Sequence, residues 1–333
     1  MTQELLIVTG GAGFIGSSLL EFLVRNENFD IWVVDSLTYA SDKSRIPNSA
    51  RVKLIKKSIS DFPHMEKVFS RAKNNYELVS VIHLAAESHV DRSIKSSALF
   101  IETNVVGTQN LLELSTRFGI KRFLHVSTDE VYGEVLIGES IESDNLKPSS
   151  AYAASKAASD LLVLAQARTH GLDAVITRCT NNFGRHQAPE KFVPRVVNRL
   201  MNNQAIPVYG DGEQVREWIS VEDHVNGIWA ALNSGVSGEI YNLGSGWRRT
   251  NLEIISTIAR VLGVSPEISF ISDRPGHDRR YAINSTKSQE DLDWIIADQT
   301  EQSFVGTVKE IANVALTVEG RNRFNRMELF YAN

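Results

Sequence analysis

The chain has 333 residues, of which 42% are hydrophobic and 23% are charged, and its formal net charge is -5. This length allows a large core and favours two lobes, and the balanced composition excludes disordered and fibrous proteins. The negative charge argues against a nucleic-acid partner, because a duplex-binding surface is expected to be strongly basic. No apolar run approaches the roughly 20 residues that span a bilayer, so we expect no membrane segment.

The N-terminal sequence and the cysteine content both indicate the cellular compartment of the protein. The first four residues lead directly into an apolar stretch, without the basic region and cleavage site of a signal peptide. Cys179 is the single cysteine, which excludes an internal disulfide and fits a reducing environment. We therefore predict a cytoplasmic protein.

Short apolar runs alternate with helical patterns through the first half of the chain. Candidate strands cover residues 5–9, 31–35, 52–55, 80–85, 123–128 and 174–179. Apolar residues three and four apart predict helices at residues 14–24, 100–115 and 152–167. Because the strands are apolar along their whole length, both faces of the sheet should be buried. The pattern predicts an α/β fold with a doubly wound parallel sheet of the Rossmann type.

The second half is richer in Pro, Gly and Asn. Helical patterns at residues 194–201, 221–232 and 252–262 are separated by these loops. We predict a smaller α/β lobe laid over the carboxyl ends of the strands, where open sheets bind ligands. The predicted division is a first domain at residues 1–178, with a probable return near 215–240, and a substrate lobe mainly at residues 179–333.

A glycine motif follows the first predicted strand and opens the first helix. Gly10, Gly13 and Gly16 allow a tight turn, a close approach of the backbone to a pyrophosphate, and packing of the helix on the sheet. The N-terminus of that helix then presents free N–H groups to the phosphates. A tight turn without a ligand is the alternative, which the strand–turn–helix context disfavours.

The end of the second predicted strand bears on the choice of cofactor. Asp35 lies where an acid should meet the hydroxyl groups of the adenosine ribose. A carboxylate there would repel a 2′-phosphate, and Ser36, Leu37 and Thr38 supply no arginine to bind one. The first domain is therefore predicted to bind NAD rather than NADP.

Tyr152 and Lys156 are four residues apart in a predicted helix and so lie on one face. An ammonium group near the phenol should lower the pKa of Tyr152 from its usual value near 10. The tyrosine would then be a plausible base for a sugar hydroxyl. The alternative is a surface tyrosine beside a solvated lysine.

Longer blocks of sequence accompany these motifs. They lie at residues 83–93, 126–133, 152–156, 181–184, 189–191, 216–218 and 273–281. With the glycine motif, Thr128, Tyr152 and Lys156, they resemble the extended short-chain dehydrogenase/reductase superfamily over roughly residues 5 to 290. Within it the chain is most similar to the sugar-nucleotide 4,6-dehydratases of the dTDP-glucose type.

The resemblance implies a mechanism for Thr128, Asp129, Glu130, Tyr152 and Lys156. Tyr152 would take the proton of the carbon-4 hydroxyl, aided by Thr128, while NAD accepts the hydride. Glu130 would remove the carbon-5 proton, and Asp129 would protonate the leaving carbon-6 hydroxyl, since adjacent carboxyls tend to keep one group protonated. The hydride would return to carbon 6, so that NAD is regenerated and a 4-keto-6-deoxy sugar nucleotide is released.

The resemblance also implies two sets of binding residues. The cofactor set adds Phe14, Ile15, Ser58, Ile59, Leu84, Ala85, Ala86, Asn104 and Cys179 to the residues already named. The substrate set is Ser88, Thr128, Asn182, Glu190, Lys191, Arg216, Asn251, Arg279 and Tyr281. The histidines lack metal-ligand spacing, so no metal site is predicted. The family's usual homodimer implies an interface formed by the predicted helices near residues 100–117 and 152–168.

Three parts of the chain depart from the family pattern: Ser58, the pair Arg185-His186, and the segment beyond about residue 290, whose basic tail at residues 321–326 has no assigned role. Ser58 stands where the family usually has an aspartate against the adenine amino group, and Arg185 and His186 replace a Pro-Tyr pair. A sugar-nucleotide 4-epimerase, another nucleotide-sugar dehydratase and a catalytically silent NAD-binding protein stay open as alternatives. The products formed from a nucleotide hexose would distinguish them.

Overall fold

The computed structural model of the protein describes residues 4–297 and 299–317. The strands, in chain order, are β1 (Glu4–Thr9), β2 (Asp30–Asp35), β3 (Val52–Lys56), β4 (Leu78–His83), β5 (Arg122–Thr128), β6 (Ala174–Cys179), β7 (Asn181–Phe183), β8 (Ile206–Tyr209), β9 (Val215–Ser220), β10 (Ile240–Leu243), β11 (Arg248–Thr250) and β12 (Ile268–Ile271). The α-helices are α1 (Phe14–Asn26), α2 (Phe62–Asn75), α3 (Val90–Lys95), α4 (Ala98–Phe100), α5 (Thr108–Arg117), α6 (Ala151–His170), α7 (Phe192–Met201), α8 (Val221–Ser234), α9 (Asn251–Leu262), α10 (Thr286–Leu292) and α11 (Thr300–Leu316).

A seven-stranded parallel sheet forms the centre of the first lobe. Its strand order is β10-β6-β5-β4-β1-β2-β3, with every pairing parallel. The reversal of strand order beside β1 creates the crevice in which doubly wound sheets bind ligands. The predicted Rossmann-type fold is confirmed.

Helices bury both faces of this sheet. On one face, Leu19 and Leu23 of α1 pack in a cluster with Val225 and Ile228 of α8. On the other face, α2, α5 and α6 contribute a second cluster that includes Phe69. This two-sided burial explains why the strands are apolar along their length.

The six strands predicted in the first half are present, with small shifts at their ends. β4 ends at His83 rather than at residue 85, because the backbone of Ala85 leaves the sheet to cross Gly10 and donates its N–H to the Thr9 hydroxyl. The seventh strand, β10, was not predicted. It has four residues and lies among the glycine-rich loops of the second half.

The helix predicted at residues 100–115 is divided in the structure. Helix α4 leads into a π-helical segment, Ile101–Gly107, and α5 begins at Thr108. A wider turn shifts the side chains that follow it, and π-helical turns are frequent at functional sites. Apolar spacing alone does not distinguish this geometry from a regular helix.

The second lobe has its own small core. It contains a three-stranded sheet of order β11-β9-β7, a β12-β8 pair, and the helices α7, α9 and α11. Trp218 of β9 packs there against Phe304 of α11 at 6.4 Å between ring centroids. Helix α9 begins with a capping box in which Thr250 and Glu253 bind each other's backbone N–H.

The chain passes between the lobes more than once. After β9 it enters α8 and β10, which join the core of the large sheet, and it then returns to β11. The division into a first domain at residues 1–178, with a return near 215–240, and a substrate lobe mainly at residues 179–333 stays a prediction. Within the described ranges, no helix combines the length and apolar character needed to cross a bilayer.

Candidate active site

A cavity of about 460 Å³ opens at the carboxyl ends of the central strands, between the two lobes. Of all the site residues predicted above, only Leu37, Asn104, Arg216, Asn251, Arg279 and Tyr281 do not line it. The catalytic set, the cofactor set apart from Leu37 and Asn104, and five of the nine substrate residues therefore converge on one cavity.

The glycine turn at the end of β1 leaves room for a ligand against the backbone. Gly10 has φ +71, and a Cβ there would lie 2.7 Å from the Ala85 nitrogen. A Cβ on Gly16 would collide with the Gly10 carbonyl. Helix α1 has no side-chain cap at Gly13, so its first N–H groups can bind an anion. These features fit a dinucleotide pyrophosphate.

Asp35 is held at the end of β2 by three donors. Its carboxylate accepts hydrogen bonds from Ala12 N at 2.9 Å, Leu37 N at 2.8 Å and Ser41 Oγ at 2.8 Å. Leu37 contributes through its backbone, with a positive φ of 55, rather than by lining the cavity. The buried carboxylate faces the cavity, where it fits the ribose hydroxyls of NAD.

Asn104 lies behind the cavity wall, in the π-helical segment. Its amide oxygen accepts from Glu87 N at 2.8 Å, and its amide nitrogen donates to Glu87 O and Ser155 Oγ. Both ends of the amide are used by the protein itself. We therefore infer that Asn104 supports the wall between β4 and α6 and does not touch the cofactor.

Two carboxyl groups stand at the end of β5. Thr128 Oγ1 donates to Asp129 Oδ1 at 3.2 Å, and Glu130 N donates to Thr128 Oγ1 at 3.3 Å. Burial raises the pKa of Asp129 well above its usual value, and the charges of Glu130 and Glu217 add to this. Burial also raises the pKa of Glu130, against the nearby guanidinium groups of Arg274 and Arg216. The site favours a protonated Asp129.

The expected lowering of the Tyr152 pKa is wrong. Burial raises this pKa well above 10, and the charges of Glu130, Cys179 and Asp129 raise it further, while a hydrogen bond with Thr128 opposes them. The Lys156 ammonium donates instead to Val126 O at 2.9 Å. Burial lowers the pKa of Lys156 itself to about 8. Helical spacing correctly predicted that the side chains of Tyr152 and Lys156 face the same cavity. It could not predict the surrounding charges that set the pKa values of both groups.

The second lobe contributes one wall of the cavity. Lys191 Nζ donates to Ser88 O at 3.1 Å, and His224 Nδ1 bonds to Asn182 Oδ1 at 2.8 Å. Both carboxylate oxygens of Glu190 are buried without a hydrogen-bond partner in the described part of the chain. Burial raises the pKa of Glu190. Such unpaired acceptors suit a ligand that carries hydroxyl groups.

The remaining substrate candidates lie outside the cavity lining. The Arg216 guanidinium lies 4.4 Å from the Tyr281 ring centroid and donates to Asp278 O. Its charge also acts on the two catalytic carboxyls, Asp129 and Glu130. Arg279 is exposed and forms an ion pair with Asp211 at 2.6 Å. Asn251 opens α9, and its amide donates to Gln214 Oε1 at 3.4 Å.

Glu87 and Arg274 lie near the site and were not among the predicted residues. Glu87 lines the cavity and is buried, which raises its pKa. Arg274 forms an ion pair with Asp91 at 3.0 Å, across the two lobes. Its positive charge opposes the rise that burial causes in the pKa of Glu130. Glu87 follows the end of β4 as Asp129 follows β5, so the strand-end position was the signal that could have identified it.

Comparison with known proteins assigns the family. Residues 6–244 match the model of the NAD dependent epimerase/dehydratase family. The chain belongs to this family. The resemblance predicted from the sequence is therefore confirmed, and so is NAD as the cofactor, since solved members of the family contain it.

Within the NAD dependent epimerase/dehydratase family, dehydratases are prominent among the similar proteins. The chain is 44% identical to the dTDP-glucose 4,6-dehydratase of Actinoplanes sp. over 85% of this chain and 89% of that one. It is 39% identical to the Escherichia coli dTDP-glucose 4,6-dehydratase, covering 91% and 92%.

Solved structures of both dehydratases and epimerases share this fold, and the dehydratases are more similar to the chain in sequence. DesIV, the dTDP-glucose 4,6-dehydratase of Streptomyces venezuelae with NAD and TYD bound, is 40% identical, with a TM-score of 0.88 over 93% of this chain and 98% of that one. The UDP-glucose 4-epimerase of Thermus thermophilus with NAD shares the fold, with a TM-score of 0.85 over 92% and 98%, at 28% identity.

Proposed function

We propose that the protein catalyses the NAD-dependent 4,6-dehydration of dTDP-glucose to its 4-keto-6-deoxy product. The observation that carries the proposal is the pair of neighbouring carboxyls, the buried Asp129 and the half-buried Glu130, in the cavity that Tyr152 and Lys156 also line. The 39–44% identity to dTDP-glucose 4,6-dehydratases over most of the chain supports it.

Tyr152 and Thr128 act on the carbon-4 hydroxyl. NAD, when bound, would supply the acceptor and later the donor of the hydride. Tyr152 takes the hydroxyl proton, and the Thr128 hydroxyl orients the sugar oxygen. Because burial and the carboxylates raise the pKa of Tyr152, the Lys156 ammonium must stay nearby to favour the phenolate.

Glu130 and Asp129 carry out the elimination. Glu130 removes the carbon-5 proton, which the neighbouring ketone makes acidic. Asp129, protonated because burial raises its pKa, donates its proton to the departing carbon-6 hydroxyl. Its Oδ2 has no hydrogen-bond partner in the described ranges and is therefore free to bond to the substrate. Two carboxyls in different environments thus take opposite roles.

The proposal is tested with purified protein and dTDP-glucose. The 4-keto-6-deoxy product should accumulate without stoichiometric consumption of added NAD. Glu130→Gln should still oxidise carbon 4 but should lose water elimination by about 10²-fold or more. Glu134→Gln, the same change at an exposed position of the same segment, is the control and should retain activity.

The outcome also decides among the alternatives. A product with the mass of the substrate would favour a 4-epimerase, and turnover of UDP-glucose in preference to dTDP-glucose would change the assigned nucleotide. Absence of turnover with dTDP-, UDP-, GDP- and CDP-hexoses would favour a silent NAD-binding protein. Dehydration by Glu130→Gln at the normal rate would refute the role of Glu130.

The proposed assembly is a homodimer. Five apolar side chains of α3, α4, the π-helical segment and α6 are exposed in the single chain, and they are Ile94, Leu99, Ile101, Val106 and Leu161. A second copy of the chain would remove this surface from water, in agreement with the interface predicted on the helices near residues 100–117 and 152–168. The cytoplasmic location stays a prediction from the sequence.

A further inference from the structure

A row of buried side chains leads away from the cavity, starting at Lys156. The Lys156 ammonium lies 3.3 Å from His125 Nε2. The same ring nitrogen lies 3.4 Å from Asp160 Oδ1. The other oxygen, Asp160 Oδ2, accepts a hydrogen bond from Arg178 Nε at 2.9 Å. None of these four side chains belongs to the predicted site except Lys156.

Three elements of the first lobe build this row. Asp160 follows Lys156 by four residues on α6, as Lys156 follows Tyr152, so the three side chains share one face of the helix. His125 lies on β5 and Arg178 on β6, and the pairing of His125 with Ile176 makes His125 and Arg178 diagonal neighbours on one face of the sheet. The fold therefore fixes the row through rigid elements.

The row contains two cations and one carboxylate, all buried. Asp160 is fully buried and the Arg178 side chain is 2% exposed. A buried charge without a partner strongly destabilises the folded state. Burial raises the pKa of Asp160, but His125 and Arg178 outweigh that effect and hold the pKa below its usual value. Asp160 is thus an anion whose two oxygens face different partners.

The other titratable groups that act on Lys156 are neutral near pH 7. Burial lowers the pKa of His125 to about 4 and raises that of the Cys179 thiol of β6 to about 12. His83 of β4 also has a pKa well below its usual value because of burial. Tyr152, on the same helix, has a raised pKa. Among the described residues, Asp160 is therefore the anion that compensates the Lys156 charge.

We propose that Asp160 is a positioning residue for the dehydration, because it keeps the Lys156 ammonium charged and directed at the Val126 carbonyl. Arg178 anchors the carboxylate, and His125 lies between the carboxylate and the ammonium. The importance for catalysis rests on the proposed function, in which Tyr152 needs a cation nearby. The electrostatic coupling of Asp160 to Lys156 does not depend on it.

Titration of Lys156 tests the coupling directly. Isotope-labelled lysine is followed by NMR in the NAD-loaded protein, and the Lys156 signal is assigned by its absence from Lys156→Met. We expect a midpoint of about 8 in the wild type. In Asp160→Asn the midpoint should fall by about one unit or more, because an opposite charge at this range shifts a pKa by that amount.

A double variant distinguishes positioning from simple structural support. Asp160→Asn leaves Arg178 buried without its partner, whereas Asp160→Asn with Arg178→Met removes both charges and preserves the packing. If Asp160 acts on Lys156, the midpoint stays low in the double variant. A midpoint that returns to the wild-type value, or that is unchanged in the single variant, would overturn the proposal.

The control breaks a similar ion pair elsewhere. Asp173 accepts from Arg122 Nε at 3.0 Å, at the amino ends of β5 and β6, whereas Lys156 bonds to Val126 O further along β5. Asp173→Asn should leave the Lys156 midpoint unchanged. In steady-state assays, Asp160→Asn should also move the alkaline limb of the kcat profile to lower pH. Wild-type protein without turnover of dTDP-glucose would refute the proposed function, and the NMR titration would still test the coupling.

Discussion

Asp129 has a carboxyl group in the wall of the cavity and is only 3% exposed. One oxygen accepts from Thr128, and the other has no partner in the described part of the chain. Burial raises the pKa of this group well above its usual value. As the pH rises above about 4, the unfolded chain therefore ionises first, and the free energy of unfolding falls until the pH passes the pKa of the folded protein.

Asp129→Asn should remove this cost while it removes the acid of the elimination. We expect dehydration to fall by about 10²-fold or more. The melting temperature should match that of the wild type near pH 4 and should exceed it by about 2 °C or more at neutral pH, with a gain that grows with pH. Thermal melts across this range, together with product assays, check both effects. Equal melting temperatures at all pH values would contradict the assigned burial cost.

Single residues differ in how far the sequence predicts them. The glycine turn and Asp35 follow from spacing, because a tight turn and a strand end are local features. The pKa of Tyr152 does not, because it depends on carboxyl groups brought in from another strand. The position of Asp160 could have been predicted, since it continues the four-residue spacing of Tyr152 and Lys156. Its role became visible only with His125 and Arg178 in place.

At the scale of elements, the π-helical segment connects two walls of the cavity. Asn104 reaches back from it to the backbone of Glu87 and to the hydroxyl of Ser155. Ser155 lies between Tyr152 and Lys156 on α6. The segment thus sets the distance between the loop after β4 and the catalytic helix.

Asn104→Ala should loosen both walls. It leaves buried polar groups without partners, which costs about 1–3 kcal/mol of the free energy of unfolding. Because Glu87 and α6 both flank the cavity, the KM for NAD should rise several-fold. A loss of stability without a change in the cavity would not raise this KM. Denaturant unfolding and NAD titration measure the two effects.

Asn198→Ala, at a buried asparagine of α7 in the other lobe, controls for stability alone. It should lower the free energy of unfolding without changing the KM for NAD. An equal change of KM in both variants would argue against the support role of Asn104.

The large sheet was predictable for a physical reason that does not hold for the second lobe. Strands buried on both faces are continuous apolar runs, and the helices between them have a different apolar spacing, which makes each strand distinct in the sequence. The short strands β7 and β11 have three residues each, too few to show a period. The π-helical segment keeps apolar spacing close to that of an α-helix, so its wider turn left no signal in the sequence.

At the scale of the whole molecule, an apolar surface on one side of the first lobe faces solvent. Leu161 of α6 and Val106 of the π-helical segment both belong to it. Exposed clusters of this kind mark association sites when they form a continuous patch. A homodimer through these helices would also bring the partner against the helix that carries Tyr152 and Lys156.

Leu161→Arg should therefore weaken association, since it would bury a charge at the interface. We expect the wild type to sediment as a dimer at micromolar concentration and the variant to shift toward the monomer, with reduced activity at low protein concentration. Ile137→Arg changes an exposed apolar residue on the loop between β5 and α6 and should leave the dimer intact. A monomeric wild type would refute the proposed assembly.

The route of the chain between the lobes limits how evolution or engineering can recombine this protein. The edge strand β10 and helix α8 complete the sheet of the first lobe, although both follow β7 and β9 of the second lobe in sequence. A single crossover near residue 178 would therefore separate β6 from its native neighbour. A graft that brings a new sugar specificity needs several matched junctions, and point substitutions within the lobe are the shorter path to a changed substrate.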